Sequence, residues 1–576
     1  MSSQSKLSLP EPAAQEPRPE QRASARLGIR LREVGILWRE PSFQRWLAWI
    51  VVLALVAIDI AVVGRHTLVR YQAYRADAFD LGNMDQAVWN TLHGHPFRFT
   101  NRGLDWYGPP TRLGIHVEPL LLLIAPLYLL HSGPDTLIVL QTVALALGAL
   151  PLFALARRRL PALPFVGCAF VVAYLIAPQL LGEALWDFHA VALATPLLLL
   201  ALWALDAPRY GWFAVAALLA ALTKEDVALS LIPLGLYIAV WRGRPRFGGA
   251  VIVLSLAWVA CAFFIILPHF NGGASGGNNY WYRYAWLGTS PVAALDNILA
   301  HPWLPVAYVL GDPARRAYLT ELLRTGGGFG LLAPVLWVCA LPELAVNVLS
   351  AHEEQYSGFF QYNAVLLPYL LAAGVYGAGV LYRARAGAEA KAGITATNLP
   401  PPEHVVGQAG EGDWTALVRH AAREVGRAWS NLLGHAPIPT AVLGPLFVVW
   451  LLACALWNLS AADLRVSAFW NAGDAPSPQQ AQVDALLARI PAGASVAATD
   501  SLNPHVSDRY DLYLMPDPLS YKAEWVALDI NSAIPSSRDD DRRMYATMQA
   551  SGSYVEVGRV GSVILLHRVG PSPGAP

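Results

Sequence analysis

Carboxylates are concentrated in a short segment that follows the first long apolar stretch of the chain. Asp77, Asp80 and Asp85 stand there with Gln86 and Asn90, and large apolar side chains are interleaved with them. On a helix, residues three or four positions apart share a face, so this segment would present an acidic face. A carboxylate at the mouth of a membrane bundle can act as a general base. A solvated surface helix with ordinary aspartates is an equally good interpretation.

Pairs of histidine and carboxylate recur further along the chain. His116 and Glu118 are separated by one residue, and so are Asp187 and His189. Imidazole nitrogens and carboxylate oxygens at this spacing are compatible with a bound divalent cation. The spacing is weakly specific, because ordinary loops also contain it, and it assigns no complete set of metal ligands.

A run of three charged residues, Lys224, Glu225 and Asp226, interrupts an otherwise apolar stretch. A turn between two helices does not need these charges, which favours a functional role. The ammonium group of Lys224 could hold a phosphate as a point charge. A short solvated loop between two helices is the alternative interpretation. Ionisable groups at the ends of membrane spans are functional candidates because their burial is costly.

The composition is that of a membrane protein. Of 576 residues, 55% are hydrophobic and 14% are charged, whereas soluble domains contain about 25% charged residues. Several apolar runs approach the roughly 20 residues that span a bilayer. The formal net charge is zero, which leaves no basic surplus for nucleic acid. Four cysteines stand singly in apolar runs and indicate no disulfide framework. We therefore predict a multi-pass protein of the cell membrane that binds no nucleic acid.

Apolar runs and basic loops together predict an all-α bundle of about eleven transmembrane helices. The basic segments at Arg157–Arg159 and Arg242–Arg246 mark cytoplasmic ends, because cytoplasmic loops are enriched in Lys and Arg. This orientation places the N-terminus inside and every ionisable group described above outside. The apolar run 120–130 is too short to span and is expected to lie at the outer interface. The predicted spans are approximately 46–64, 136–156, 165–181, 191–205, 212–222, 227–241, 248–267, 318–333, 334–349, 364–382 and 440–459.

The same patterns divide the chain into domains. We predict a disordered cytoplasmic tail (1–44), a transmembrane domain (45–382) with outer loops 65–135 and 268–317, a cytoplasmic linker (383–438), a last transmembrane helix (439–460) and an outer α/β domain (461–576). The linker contains one amphipathic helix, about 414–433. Alternating apolar residues predict strands in the outer domain at about 494–499, 510–514, 525–529, 554–560 and 562–567.

A glycine-rich tract and an aromatic run follow each other in the second outer loop. Residues Asn271–Asn279 are flexible in composition, and Tyr280–Trp286 contains five aromatic side chains. A mobile aromatic loop suits a lid over a sugar or an isoprenoid chain. An aromatic anchor at the membrane interface is the alternative interpretation.

Several of these motifs resemble one family of prokaryotic polytopic proteins that is known only as a domain of unknown function. The likeness extends from about residue 46 into the outer domain, and the family is in turn similar to GT-C glycosyltransferases, which include protein mannosyltransferases and lipid A aminoarabinose transferases. The motifs are Phe79-Asp-Leu-Gly82 with Asp85-Gln86 and Trp89-Asn90, His116-x-Glu-Pro119, Asp187-Phe-His189, Lys224-Glu-Asp226, Pro342-Glu-x-x-x-Asn347, Ala497–His505 and Asp508–Tyr513.

The resemblance implies transfer of a sugar from a polyprenyl-phosphate carrier at the outer membrane face. In GT-C enzymes an acidic residue of the first outer loop acts as the base or orients the acceptor. Here that residue would be Asp80, with Asp85 second. Many GT-C members have two adjacent acids at this place, whereas Leu81 follows Asp80 in this chain. The substrate-binding residues implied are Lys224 for the phosphate and Glu225, Asp226, Gln86, Asn90, His116, Glu118, Asp187 and His189, with a divalent cation as the one cofactor considered.

Two other functional classes stay open from the sequence. A polytopic transporter or flippase would need charges near the bilayer midplane and repeated halves, and Asp59 is the one acid within an apolar span. A non-catalytic assembly protein would use the outer domain as its binding module.

Overall fold

The computed structural model describes residues 40–101, 109–271, 280–391, 438–462, 477–531 and 535–572. Apart from their edges, the predicted tail (1–44) and glycine-rich tract (271–279) lie outside the described residues, and so does the predicted linker helix (414–433). The chain divides into two compact units, one up to Val51 and one from Val52 onwards.

The described residues are mostly helical. Many helices begin with proline at their first turn, where its missing N–H is not needed. In chain order the helices are α1 (Pro41–Gln72), α2 (Asn83–Leu92), α3 (Leu121–Ile124), α4 (Pro134–Leu147), α5 (Ala149–Arg159), α6 (Pro164–Leu175), α7 (Pro178–Leu185), α8 (Ala194–Asp206), α9 (Tyr210–Ala221), α10 (Ala228–Val240), α11 (Pro245–Cys261), α12 (Leu267–Phe270), α13 (Pro291–Ala300), α14 (Trp303–Gly311), α15 (Pro313–Thr325), α16 (Pro334–Leu349), α17 (Leu366–Lys391), α18 (Thr440–Ala461), α19 (Pro478–Leu487) and α20 (Pro535–Ala550).

Five helical segments of the described chain are long and apolar enough to cross a membrane, or six if a bent pair forms one span. They confirm the prediction of a multi-pass membrane protein. The bent pair, α6 and α7, changes direction by 47°. The five segments are Pro41–Gln72, Pro134–Arg159, Pro245–Phe270, Leu366–Glu389 and Thr440–Ala461.

The predicted number of about eleven spans is not confirmed. Four of the predicted spans correspond to helices of 10–17 residues (Ala190–Asp206, α9, α10 and α16), which are apolar but short. The predicted span 318–333 is not one helix. Its first part lies on α15, which carries Arg315, Glu321 and Arg324, and the helix ends where Gly327 and Gly328 adopt positive φ angles. Glycine adopts this backbone conformation without steric cost.

Small residues allow α17 to lie directly against the turn that follows α15. The helix is buried along most of its length. A Cβ atom at Gly374 would come within 2.8 Å of the carbonyl oxygen of Gly326, and one at Gly377 would overlap the carbonyl oxygen of Phe329. Gly387, on the same helix, has open space around it. The close approach therefore depends on the glycines at the contact.

The C-terminal domain, called the outer domain after its predicted side of the membrane, contains a five-stranded mixed sheet whose order is β2-β1-β3-β5-β4. Strand β1 pairs in parallel with β2 and β3, and β5 pairs antiparallel with β3 and β4. Helix α19 packs against one face of the sheet and α20 against the other. All five predicted strands are present, with the bounds β1 (Val496–Ala498), β2 (Leu512–Leu514), β3 (Trp525–Asp529), β4 (Tyr554–Val560) and β5 (Val563–Arg568).

We predict that Gly377→Ala destabilises the protein, because the added methyl group must displace backbone rather than a flexible side chain. Overpacking of this kind costs about 1–3 kcal/mol. Gly387→Ala is the matched control, and it should be neutral or stabilise by up to about 1 kcal/mol. Thermal unfolding of the purified protein in detergent measures both effects. Equal midpoints for the two variants would contradict the packing described.

Candidate functional site

Asp80 lies on a π-helical turn, Ala78–Gly82, and not on the regular helix that the sequence predicts. Asp77 precedes the turn, and its carboxylate accepts a hydrogen bond of 2.6 Å from the backbone N–H of Phe79. The backbone N–H of Asp77 donates to the carboxylate of Asp187 at 2.6 Å. π-Helical turns are rare, and they occur frequently at functional sites. The hydrogen bonds of Asp77 and Asp187 stabilise the start of this turn.

Two side chains of the loop after α7 hold the carboxylate of Asp80. Trp186 Nε1 donates to Asp80 Oδ2 at 2.9 Å, and His189 Nε2 lies 3.2 Å from Oδ1. His189 Nδ1 lies 2.9 Å from the carbonyl oxygen of Asp187, an acceptor, so Nδ1 carries a proton. Burial opposes the charge on Asp80, but His189 and Trp186 outweigh it and lower its pKa to about 2. Burial lowers the pKa of His189, but the negative charge of Asp80 raises it by more, so the pKa lies above its usual value. The two side chains form an ion pair.

A second group of charges comes from the loop between α9 and α10. His116 Nδ1 lies 2.9 Å from Glu225 Oε1, and the backbone N–H of Val117 donates to Oε2 at 2.9 Å. Burial raises the pKa of Glu225, but the contact with His116 lowers it by more, so the pKa falls to about 2. Lys224 Nζ donates to Asp226 Oδ2 at 2.6 Å. The positive charge of Lys224 is therefore largely neutralised within its own loop.

A cavity of about 820 Å³ brings these groups together. Segments that are far apart in the sequence line it: the first outer loop, the loops after α7 and α9, the aromatic run after residue 279 and the segment after α16. The predicted site residues on its wall are Asp80, His116, Glu118, His189, Lys224, Glu225 and Asp226. These seven residues come from distant parts of the chain and line the same cavity.

One cation of the cavity lacks a carboxylate partner among the described residues. Arg112 binds Glu118 at 2.9 Å, and Lys224 binds Asp226. The guanidinium of Arg283 lies 4.6 Å from the centre of the Tyr280 ring, and its Nε lies 3.5 Å from the hydroxyl of Tyr282. No described Asp or Glu forms an ion pair with it. Its charge is available to a ligand.

The aromatic run forms one wall of the cavity. Tyr284 donates to the carbonyl oxygen of Val346 at 3.0 Å, and Trp286 donates to that of Leu349 at 2.8 Å. Both bonds tie the run to the end of α16. The bonds show how the aromatic side chains are anchored, and the lid stays a prediction.

Four predicted residues lie outside this cavity and bind groups of the chain itself. Asp85 accepts from Tyr128 at 2.5 Å and from Ser507 at 2.6 Å. Gln86 bonds to Thr100 through both ends of its amide, and Asn90 donates to two backbone carbonyls. Asp187 pairs with Arg70. The structure thus does not bring Asp85, Gln86, Asn90 and Asp187 to the cavity and gives them contacts that hold the first outer loop.

Sequence reasoning missed several residues of the cavity wall. Arg283 stands within the aromatic run that the sequence singled out, and a cation in an outer aromatic run is a signal that could have found it. Trp186 stands inside the Glu183–His189 segment without any charge to mark it. No local pattern marks Arg112 or Tyr362, which reach the cavity through the fold alone.

Within the described ranges, no three His, Cys, Asp or Glu side chains are grouped so that they could hold a metal ion. The two pairs at His116–Glu118 and Asp187–His189 do not combine into one ligand set. Each of the four side chains is already paired with a different partner.

Comparisons with known proteins give a family and two distant likenesses. Residues 70–392 match the family described as "Predicted membrane protein (DUF2079)". ArnT from Cupriavidus metallidurans, in a crystal structure with undecaprenyl phosphate, is 15% identical with a TM-score of 0.47, over 90% of this chain and 99% of that chain. The oligosaccharyltransferase from Archaeoglobus fulgidus in the apo form is 11% identical with a TM-score of 0.37, over 82% and 69%. No curated protein matches. Both scores are low, so neither likeness bears on the activity of this chain.

The burial of Asp85 predicts a pH dependence of stability. Burial raises its pKa to about 7, although hydrogen bonds from Ser507 and Tyr128 oppose the rise. An unfolded aspartate titrates near pH 3.9, about three units lower. The stabilisation from this protonated carboxyl is therefore full below about pH 4 and is lost as the pH rises through about 7.

We predict that Asp85→Asn, which stays neutral, loses less thermal stability than the wild type between about pH 6 and about pH 8. The measurement is the unfolding midpoint in detergent across this range. Glu524→Gln, at an exposed carboxylate that does not act on Asp85, is the control and should follow the wild type. Parallel curves for the wild type and Asp85→Asn would show that Asp85 is already ionised in the folded protein.

Proposed function

This chain belongs to the family of predicted membrane proteins DUF2079, and we propose that it is a GT-C-type glycosyltransferase of the cell membrane. It transfers a sugar from a polyprenyl-phosphate carrier to an envelope acceptor at the outer face. The observation that supports this function is one cavity lined by an ionised carboxylate, Asp80, and by Arg283, the cation without a carboxylate partner among the described residues. Such a cavity suits a substrate that joins a lipid chain, a phosphate and a sugar.

Asp80 accepts the hydrogen bond of the acceptor hydroxyl and takes its proton. The acceptor oxygen attacks the anomeric carbon, the bond between that carbon and the phosphate oxygen breaks, and the phosphate leaves on the lipid. A carboxylate with a pKa near 2 is a weak base. It suffices here because the acceptor oxygen becomes strongly acidic only as its bond to an oxocarbenium-like carbon forms. The contacts from Trp186 and His189 keep both carboxylate oxygens in place.

Arg283 binds the phosphate of the carrier, and Lys224 adds a weaker contribution. A guanidinium presents paired donors that match phosphate oxygens, whereas an ammonium acts as a point charge. Lys224 is bonded to Asp226 at 2.6 Å, and its pKa, lowered by burial, is raised on balance by Asp226 and Glu225. Because this charge is already compensated, Arg283 is the stronger phosphate ligand of the two.

The lipid chain enters from the bilayer side of the cavity. Apolar side chains of helices α10, α12 and α13 form this wall, together with the π-helical segment between α11 and α12. Phe264 and Ile265 of that segment, 79% and 64% exposed in the protein alone, face outward where lipid would lie. The apolar residues that line the cavity here are Leu229, Phe263, Leu267, Leu295 and Ile298.

The remaining site residues shape the cavity, and the charge pattern supports its position on the outer face. Glu225, Asp226, His116, Glu118 and His189 line the wall, while Gln86, Asn90, Asp85 and Asp187 hold the loop that carries Asp80. The basic segments at Arg157–Arg159 and Arg242–Arg246 belong to the cytoplasmic side by the positive-inside rule. The N-terminus is then cytoplasmic, and the outer α/β domain is extracytoplasmic.

We predict that Asp80→Asn lowers the rate of sugar transfer by about 10²- to 10⁴-fold, the usual contribution of general-base catalysis. Mass spectrometry of lipid-linked sugars and envelope glycans, in cells with each variant in place of the wild type, measures the effect. Asp135→Asn, at a carboxylate that does not line the cavity, is the matched control and should leave the products unchanged. Wild-type product levels with Asp80→Asn would refute the assignment of Asp80.

We predict that Arg283→Gln weakens the binding of a polyprenyl monophosphate by about 10- to 100-fold, because a hydrogen bond to a charged group is lost. Arg283→Lys keeps the charge and should retain part of the affinity. Equilibrium binding of undecaprenyl phosphate to the purified protein in detergent gives the dissociation constants. The exposed Arg316→Gln is the control. Unchanged binding by Arg283→Gln would move the phosphate to another cation of the cavity.

A further inference from the structure

We infer that Asn503 of the outer domain is a positioning residue for Asp80, through the π-helical turn Ala78–Gly82. This inference rests on the proposed function, since it concerns the same reaction. The turn and Asn503 are separated by more than 400 residues in the chain. They nevertheless meet at a buried contact composed of side-chain amides and backbone groups.

A pair of asparagines joins the turn to the outer domain. Asn101 and Asn503 exchange two hydrogen bonds between their amides, of 2.9 and 2.8 Å. The amide of Asn101 also donates to the carbonyl oxygen of Ala78 at 3.0 Å. Both asparagines have no solvent exposure. Asn503 thus fixes the rotamer of Asn101, and Asn101 fixes the first carbonyl of the turn.

Contacts at both ends of the turn reinforce this arrangement. At its start, the backbone N–H of Ala78 donates to Asp500 Oδ1 at 2.9 Å. At its end, Gly82 lies so close to Asn503 that a Cβ atom would overlap the amide oxygen of Asn503. Any residue larger than glycine would therefore displace the Asn503 amide or the turn.

The place of this contact in the sheet suits a binding function. The chain leaves β1 towards β2 on one side and then crosses to β3 on the other side, so the switch point lies between β1 and β3. Sheets of this kind bind ligands at the carboxyl ends of their strands, at the switch point. Asp500 and Asn503 follow the carboxyl end of β1. In this protein the position is occupied by the turn that carries Asp80.

The consequence is that the outer domain completes the catalytic unit. A π-helical turn is uncommon by itself, and its supporting bonds come from Asp500 of the outer domain, from Asp187 and from Asn101, whose amide Asn503 holds in place. A misplacement of a catalytic group by about 1 Å can cost about 100-fold in rate. Loss of the Asn503 amide should therefore affect the chemical step more than the binding of the carrier.

The first test is hydrogen–deuterium exchange of the full-length protein in detergent, followed by mass spectrometry of peptides that contain residues 77–83. Asn503→Ala should speed exchange of these amides by about tenfold or more, because the local opening becomes easier. Asp511→Asn is the matched control, since it removes the 2.7 Å ion pair with Arg98, another contact between the loop and the domain. It should leave the exchange of 77–83 unchanged.

The same variants separate positioning from general stability. Asn503→Ala should lower the transfer rate by about tenfold or more at saturating carrier, with the KM for the carrier unchanged. If Asn503→Ala does not fold, Gly82→Ala tests the contact from the other side and should give the same local exchange. The double variant Gly82→Ala with Asn503→Ala should be no worse than the worse single variant, because both changes act on one contact.

Each outcome decides the inference. Unchanged exchange at 77–83 in Asn503→Ala overturns it, whatever the activity. Faster exchange throughout the outer domain, equal to that in Asp511→Asn, also overturns it, since Asn503 would then serve stability alone. If amide exchange is faster only at residues 77–83 and the transfer rate of Asn503→Ala is unchanged, Asn503 does not position Asp80. If Asp80→Asn keeps full activity, the proposed function fails, and the exchange data show separately whether Asn503 holds the turn.

Discussion

Charged side chains at the end of an apolar helix bundle must be paired, and this requirement governs the cavity. An isolated charge in a poorly solvated place is costly, whereas a pair with good geometry is tolerated. The cavity follows this rule closely: Asp80 with His189, Glu225 with His116, Glu118 with Arg112 and Asp226 with Lys224.

Arg283 is the one cation of the cavity without a carboxylate partner among the described residues, and the proposed chemistry depends on it. It contacts aromatic rings and a tyrosine hydroxyl instead of a carboxylate. A guanidinium in that state is available for a phosphate, which carries both charge and hydrogen-bond acceptors. Asp80, held as an anion by two neighbours, can accept a hydrogen bond from a hydroxyl. Arg283 and Asp80 together are the basis for the proposal that a lipid phosphate and an acceptor occupy one cavity.

Many hydrogen bonds join the outer domain to the first outer loop. Gln86, Thr100 and Asn101 bond to the segment 503–512, and His505 stacks between the rings of Tyr71 and Tyr74. Buried polar groups of this kind are stable only when each finds its partner. The domain therefore belongs to the same unit as the bundle, and a module that binds an unrelated partner independently is less consistent with these contacts.

The sequence alone determined that this is a membrane protein, where the five strands of the outer domain lie, and which residues provide most of the charges on the cavity wall. These features depend on local patterns: apolar runs, alternation along strands and ionisable groups at the ends of spans. The predicted number of spans stays unconfirmed, because α8, α9, α10 and α16 are apolar yet short, and an apolar run does not reveal how long its helix is.

Only the tertiary structure decided which acids face the cavity. Asp80 and Asp85 stand five residues apart in one acidic segment, but the first lies on a π-helical turn at the cavity and the second is buried against Tyr128 and Ser507. Their partners are up to 422 residues away. Local spacing predicts which side chains share a face, whereas the identity of a partner from a distant segment depends on how the whole chain packs.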